Sequence, residues 1–150
     1  LLVIDQLRDP GNLGTILRTA ASAGVQGVLL TPGTTDPFAP KVTRAGMGAQ
    51  FRLPVIEMSP EAILETCRQS GLRLVLAESD GGCPYWECDF QRPAALVIGG
   101  EADGAGAAIR QGVDEQVTIP MPGQTESLNA AVAAAVLIFE VIRQRSTPHP

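Results

Sequence analysis

Six polar side chains stand beside glycines and prolines in four short stretches of this chain. Asp9–Arg18 reads DPGNLGTILR and offers the Asn12 amide and the Arg18 guanidinium. Residues 40–49, PKVTRAGMGA, offer Arg44, and Val97–Gly104, VIGGEADG, offers the Glu101 carboxylate. Ile119–Asn129, IPMPGQTESLN, offers the Ser127 hydroxyl and the Asn129 amide. This set is rich in hydrogen-bond donors and poor in bases. The single histidine, His149, lies in the terminal STPHP, away from every motif, which argues against a histidine base. No metal-ligand cluster is visible. Cys67, Cys83 and Cys88 are an odd count without C-x-x-C spacing, which argues against a zinc site or a disulfide framework and for reduced thiols in an intracellular protein.

Elements must hold these groups, and the hydrophobic pattern places them. Leu1–Ile4, Gly27–Leu30, Leu72–Ala77, Ala94–Ile98 and Gln116–Ile119 are short apolar runs, with Pro54–Glu57 as a further short strand. They are continuous rather than alternating, as strands buried on both faces of a parallel sheet should be. Helices are predicted between them. One is capped by Asn12 and runs to Ala23, with Gly24 as its stop, and a short one covers Pro40–Ala49. A third is capped by Ser59 with Pro60 at its first position and stopped by Gly71. The last starts near Ser127, with that serine as N-cap, and continues to about Arg145; the tail beyond it should fray. The order predicts one α/β domain, a parallel sheet with helices on both faces.

Pro10 and Gly11 turn the chain after the first strand, which presents Asn12 at the mouth of a helix. Arg18 lies about 600° further round the helix, so the two converge only if Asn12 sits on the turn. G-N-L-G lacks the third glycine of a dinucleotide fingerprint. Glu101 follows Gly99-Gly100 at the carboxyl end of a strand, where α/β sheets bind ligands and where glycine lets a ligand approach the backbone. Pro120, Pro122 and Gly123 make a stiff loop before the last helix.

Bulk composition sets limits. The 150 residues carry a net charge of −5, against the expectation for a nucleic-acid binder. Residues 1–52 nevertheless hold five basic residues (Arg8, Arg18, Lys41, Arg44, Arg52) against three aspartates. A phosphate-facing surface should therefore lie in that first third. The longest apolar run, Ala130–Phe139, is too short for a bilayer and stops at Glu140, and no signal peptide is visible, so the chain reads as cytoplasmic. Leu1 is not a Met and already begins a strand-like run, which predicts a domain from a longer chain with an upstream segment.

Taken together, D-P-G-N-L-G-T-I-L-R, G-G-E-A-D-G and I-P-M-P-G-Q-T-E-S-L-N resemble the motifs of the SpoU/TrmH branch of the SPOUT methyltransferases, from Asp5 to about Ile142. That resemblance implies an S-adenosylmethionine-dependent RNA 2′-O-ribose methyltransferase acting on ribosomal or transfer RNA, with a trefoil knot in the C-terminal half. It implies a catalytic set of Arg18, Asn12, Glu101, Ser127 and Asn129. Ala77, Ile98, Gly99, Gly100, Glu101, Ile119, Met121, Ser127, Leu128 and Asn129 would hold the cofactor, and Arg8, Arg18, Lys41 and Arg44 the RNA. It further implies no metal, a homodimer packed through the apolar last helix, and an RNA-binding domain in the upstream segment. In this reading Arg18 grips a phosphate and stabilises the developing alkoxide, with Asn12 and Glu101 positioning it. Two alternatives remain at the level of sequence: a nucleotide-binding flavodoxin- or Rossmann-like domain, and a non-catalytic RNA-binding module on the same fold.

Overall fold

The computed structural model describes residues 1–123 and 126–146; His149 and the tail residues 147–150 lie outside the described residues. Seven parallel strands form one sheet: β1 Leu2–Asp5, β2 Val28–Leu30, β3 Val55–Glu57, β4 Arg73–Glu78, β5 Cys83–Pro84, β6 Ala94–Gly99 and β7 Glu115–Thr118. Their order across the sheet is β3-β2-β1-β6-β4-β7-β5. Five α-helices accompany them: α1 Pro10–Ser22, α2 Pro40–Ala45, α3 Pro60–Gln69, α4 Ala107–Gln111 and α5 Ala130–Ser146.

The apolar runs are continuous because both sheet faces are covered. Leu2, Ile4, Val28, Leu30, Val75, Leu96 and Ile98 join Leu13, Ile16 and Leu17 of α1 and Ala134, Leu137 and Ile138 of α5 in one core. Val3, Leu29, Leu74, Leu76, Ala95 and Val97 join Ile63 and Cys67 of α3 and Ile109 of α4 in the other. Adjacent residues of one strand thus serve opposite layers, as the two-residue period of a strand requires.

Helix ends differ from the sequence reading in instructive ways. The Asp9 side chain, not Asn12, caps α1, accepting from the Asn12 N–H at 2.7 Å. Pro10 takes the first helical position, which leaves Asn12 inside the first turn with its amide free to act elsewhere. Ser127 does not cap α5. Asn129 does, its Oδ1 accepting from the N–H groups of Ala131 (2.9 Å) and Val132 (3.3 Å), so the helix starts at Ala130. Ser59 caps α3 as expected. The second helix ends at Ala45 instead of Ala49, because Met47 and Gly48 turn left-handed. Two elements, β5 and α4, are absent from the sequence reading: one has two residues, and the other follows a glycine-rich loop.

Helix α1 packs on α2 backbone to backbone. A Cβ placed on Gly14 would meet the Val42 carbonyl and the Ala45 methyl at 2.6 Å. Arg18 lies one turn beyond Gly14, on the stripe of α1 that faces α2.

Candidate active site

Parallel strands bring all their carboxyl ends to one edge of the sheet, and there the three motifs meet. Asp5 ends β1 in register with Gly99 at the end of β6. Its buried carboxylate accepts from the Thr31 hydroxyl and from the Gly106 N–H (2.6 Å), tying the loop after β6 to the sheet. That loop closes on itself through paired backbone hydrogen bonds between Gly100 and Gly104. Both Gly99 and Gly100 are required by their own chain. A Cβ on Gly99 would come within 2.3 Å of the Gly104–Ala105 backbone, and one on Gly100 within 2.6 Å of the Gln6 carbonyl. The glycine pair therefore serves the fit of the loop as well as any approach by a ligand.

The loop presents Glu101 to the start of α1. Glu101 Oε1 accepts from Asn12 Nδ2 at 3.0 Å and from the Asp9 N–H at 3.4 Å, while Oε2 accepts from the Arg8 N–H at 3.5 Å. Asn12 Oδ1 in turn accepts from Asn129 Nδ2 at 2.9 Å. The hydrogen bonds run in one direction, from the amino-terminus of α5 through Asn129 and Asn12 to the Glu101 carboxylate. Each amide orientation is fixed by its neighbour, because the Asn129 oxygen is taken by the helix N–H groups. Burial alone would raise the Glu101 carboxyl, but the Asn12 amide and the Arg8 and Asp9 N–H groups outweigh it and hold the group below its ordinary value. Glu101 is thus an ionised acceptor and a weak base.

Beside this relay lies a cleft of about 560 Å³, within the usual range for a small-molecule site. Ala77, Ile98, Gly99, Gly100, Glu101, Ile119, Met121, Ser127, Leu128 and Asn129 line it together. Asn12 is joined to it through Glu101 and Asn129. Arg18, Arg8, Lys41 and Arg44 are not in its wall; all four are exposed. The expectation that Asn12 and Glu101 hold Arg18 needs correction. Among the described residues those two bond each other, and neither is hydrogen-bonded to the guanidinium.

Sequence reasoning missed four polar lining residues: Glu78, Ser79, Asp103 and Arg110. Arg110, on α4, pairs with Glu78 at the end of β4 and donates to the Ala105 carbonyl at 2.8 Å. Glu78 carried a readable signal, a carboxylate directly after an apolar strand. Arg110 carried none, because its short helix was not foreseen.

Fold and cleft define a class: a doubly covered parallel α/β domain with a cleft of small-molecule size at the carboxyl ends of its strands, between loops shaped by glycine and proline. The SpoU rRNA Methylase family profile matches residues 1–139, and the chain belongs to that family. An uncharacterized tRNA/rRNA methyltransferase of Synechocystis sp. is 43% identical over 98% of this chain and 55% of its own length. The 23S rRNA (guanosine(2553)-2′-O)-methyltransferase RlmP of Bacillus subtilis is 38% identical over 94% of this chain and 57% of its own length. The crystal structure of the SpoU methyltransferase AviRb from Streptomyces viridochromogenes in complex with AdoMet superposes with a TM-score of 0.91 at 34% identity, covering 99% of this chain and 58% of that one. The chain therefore spans a little over half the length of the curated relatives it matches.

Proposed function

We propose that this domain transfers a methyl group from S-adenosylmethionine to a ribose 2′-hydroxyl of ribosomal or transfer RNA. The observation that carries the reading is that the second and third motifs line one cleft, and that Asn12 of the first is tied to its rim through Glu101 and Asn129. Family membership supports it and disfavours a flavodoxin- or Rossmann-like nucleotide site. The presence of every polar group in the relay argues against a module that has lost its chemistry.

The cleft suits the methyl donor. Ile98, Ile119, Met121, Leu128 and Leu137 offer apolar wall for a nucleobase, and the lining carboxylates Glu101 and Asp103 suit a cation, while Glu78 is paired with Arg110. S-adenosylmethionine supplies an activated methyl on a sulfonium, so no metal is needed to activate the donor. The work left to this chain is alignment and charge stabilisation. Glu101, held ionised at the rim, favours a positive centre beside it. The relay fixes the Asn12 and Asn129 amides, which orient the ribose. Ser127, exposed at the cleft mouth, offers a further hydroxyl to it.

Arg18 takes the phosphate next to the target nucleotide and stabilises the alkoxide as it develops. Arginine stays protonated in proteins, which suits that role. Its stripe on α1 leads to α2, whose neighbourhood carries Lys41, Arg44 and Arg52 with no acid between residues 38 and 52. Phe38 and Phe51 stand more than half exposed there with ring centroids 5.8 Å apart. Basic residues around exposed aromatic faces suit unpaired RNA. Arg8 extends that surface from the other side of Asn12.

A homodimer and the trefoil knot belong to the same proposal. Val132 and Phe139, seven residues apart on α5, leave apolar side chains half exposed, which supports pairing through that helix. The knot rests on the family resemblance of the motifs. Among the described residues no helix is long and apolar enough to cross a membrane, in keeping with a cytoplasmic enzyme acting on RNA.

The deciding experiment incubates the domain with labelled S-adenosylmethionine and ribosomal or transfer RNA and maps ribose methylation by resistance to alkaline cleavage. Methyl incorporation at a 2′-oxygen is the expected result. Cofactor binding with no RNA methylated would overturn the reading.

A further inference from the structure

A second cluster lies at the other margin of the sheet, where β5 forms the edge. Cys83 of β5, Cys88 five residues on, and Glu115 at the start of β7 bring one ligand atom each within 4.8 Å of one another. Cys83 Sγ stands 3.4 Å from Glu115 Oε1. We propose that these three side chains bind a thiophilic divalent cation of the Zn(II) class, at a site separate from the methyl-transfer cleft.

Geometry supports the assignment. With metal–sulfur bonds of about 2.3 Å and metal–oxygen bonds of about 2.0 Å, tetrahedral coordination sets the sulfur–oxygen edge at about 3.5 Å and the sulfur–sulfur edge at about 3.8 Å. The observed sulfur–oxygen separation is already of that size, and the 4.8 Å bound on the others leaves about 1 Å to close. None of the cleft-lining residues belongs to this set.

The three ligands are held by different parts of the fold. Cys83 is paired to Val117 of β7 in the sheet. Cys88 is buried, and its carbonyl accepts from Gln144 Nε2 of α5 at 2.9 Å, while the Phe90 N–H donates to Gln144 Oε1 at 2.8 Å. Glu115 is oriented by Arg73, which binds its Oε2 and the Asp89 carbonyl and leaves Oε1 turned to Cys83. A carboxylate fixed by a neighbour of this kind is the usual support behind a metal ligand.

Charge also closes. Two thiolates and one carboxylate carry −3, and the cation with the Arg73 guanidinium carries +3. Binding therefore forms two metal–sulfur bonds and one metal–oxygen bond and expels two thiol protons to water. Cys83 and Glu115 are half-buried, so water can complete the fourth position. The cation would pin the two-residue strand β5 and the segment after it to β7, whose far end leads into the Ile119–Gly123 loop.

The test uses the intact chain, reduced and stripped with chelator, and titrates it with Co(II). One equivalent should bind per chain, with a thiolate-to-cobalt charge-transfer band and tetrahedral visible bands, and one equivalent of Zn(II) should erase them. Cys83→Ser and Cys88→Ser should lose the charge-transfer band, and Cys67→Ser should keep it. If Cys88→Ser does not fold, Cys83→Ser decides alone, with circular dichroism as its control. Zn(II) should also raise the melting temperature of the wild type and not of Cys83→Ser. No thiolate band at saturating Co(II), a band that survives in Cys83→Ser, or a Cys83–Cys88 disulfide in the chain isolated from cells would overturn the proposal.

Discussion

The Asn12–Glu101 contact can be broken with a single atom's change in kind. Asn12→Asp keeps the shape of the side chain but replaces the amide donor with an oxygen, and it sets two carboxylates where a hydrogen bond of 3.0 Å now stands. Two unit charges at that distance repel by about 1.4 kcal/mol in water and by about 5.5 kcal/mol at an effective dielectric of 20. Glu101 is exposed and Asn12 half-buried, so the cost should fall near the lower figure. At about 1.4 kcal/mol per factor of ten, single-turnover methylation should fall by about 10- to 10²-fold, with cofactor affinity measured in parallel. The Asn129 contact is an internal control, because an aspartate oxygen still accepts from Asn129 Nδ2. The decisive readout is a double-mutant cycle with Glu101→Gln. A glutamine amide can donate to the new carboxylate, so the second substitution should cost less in the Asn12→Asp background than in the wild type. A coupling of about 1 kcal/mol or more is expected. A wild-type rate for folded Asn12→Asp, or a cycle that closes additively, would refute the relay.

Other substitutions test other parts of the reading. Arg18→Ala should lose about 10²–10³ in turnover while keeping fold and cofactor binding, and Arg18→Lys should recover little, because a point charge does not replace the planar fork. Single-turnover rates with parallel calorimetry separate that outcome from simple unfolding. Gly14→Ala places a methyl 2.6 Å from the Val42 carbonyl and should destabilise the domain by about 1–3 kcal/mol, read as a lowered urea midpoint. Phe139→Glu should convert a dimer to a monomer in light scattering without loss of helix content; an unchanged mass would exclude that face of α5 from the interface. Glu101 is held below the ordinary carboxylate value, so its stabilising contribution is complete above the unfolded value of about 4.3 and is lost as pH falls through the lower folded value. Glu101→Gln should therefore narrow its melting-temperature gap from the wild type on acidification below about pH 4, and a constant gap would contradict the sign.

How far the sequence could be read depended on the kind of signal. The central strands β1, β2, β4 and β6 announced themselves because both faces of the sheet are covered there, which turns burial into uninterrupted apolar runs such as Leu74–Leu76 and Ala95–Ile98. Strand β5 could not, since two residues at an edge paired only to β7 carry no pattern. The cleft wall was legible because the motifs stand at strand ends, and in a parallel sheet those ends share one edge. Cap assignments failed for a local reason. Asp9 and Asn12, like Ser127 and Asn129, are all competent caps, and only the backbone decides which one faces the free N–H groups. That choice matters for function: Asp9 takes the cap of α1, which releases the Asn12 side chain to bridge Glu101 and Asn129. The pairing of Arg110 with Glu78 and the meeting of Cys83, Cys88 and Glu115 depend on long-range topology, which spacing does not carry.

The relay also explains how a chain of net charge −5 can serve an anionic substrate. Glu101 and Asp103 stand on the cleft side, with Glu78 neutralised by Arg110, where the proposed ligand is a cation. Arg8, Arg18, Lys41 and Arg44 stand outside that wall, on the first third of the chain, where the proposed ligand is a polyanion. Asn12 lies on the border between the two fields and is neutral. A charge of either sign there would favour one ligand and oppose the other, whereas an amide can accept from Asn129 and donate to Glu101 at once. On this reading the penalty of Asn12→Asp should be largest at low salt, where the added negative charge also repels RNA, and added salt should relieve the RNA part alone. The repulsion from Glu101 acts across hydrogen-bond distance, well inside the screening length, and should persist.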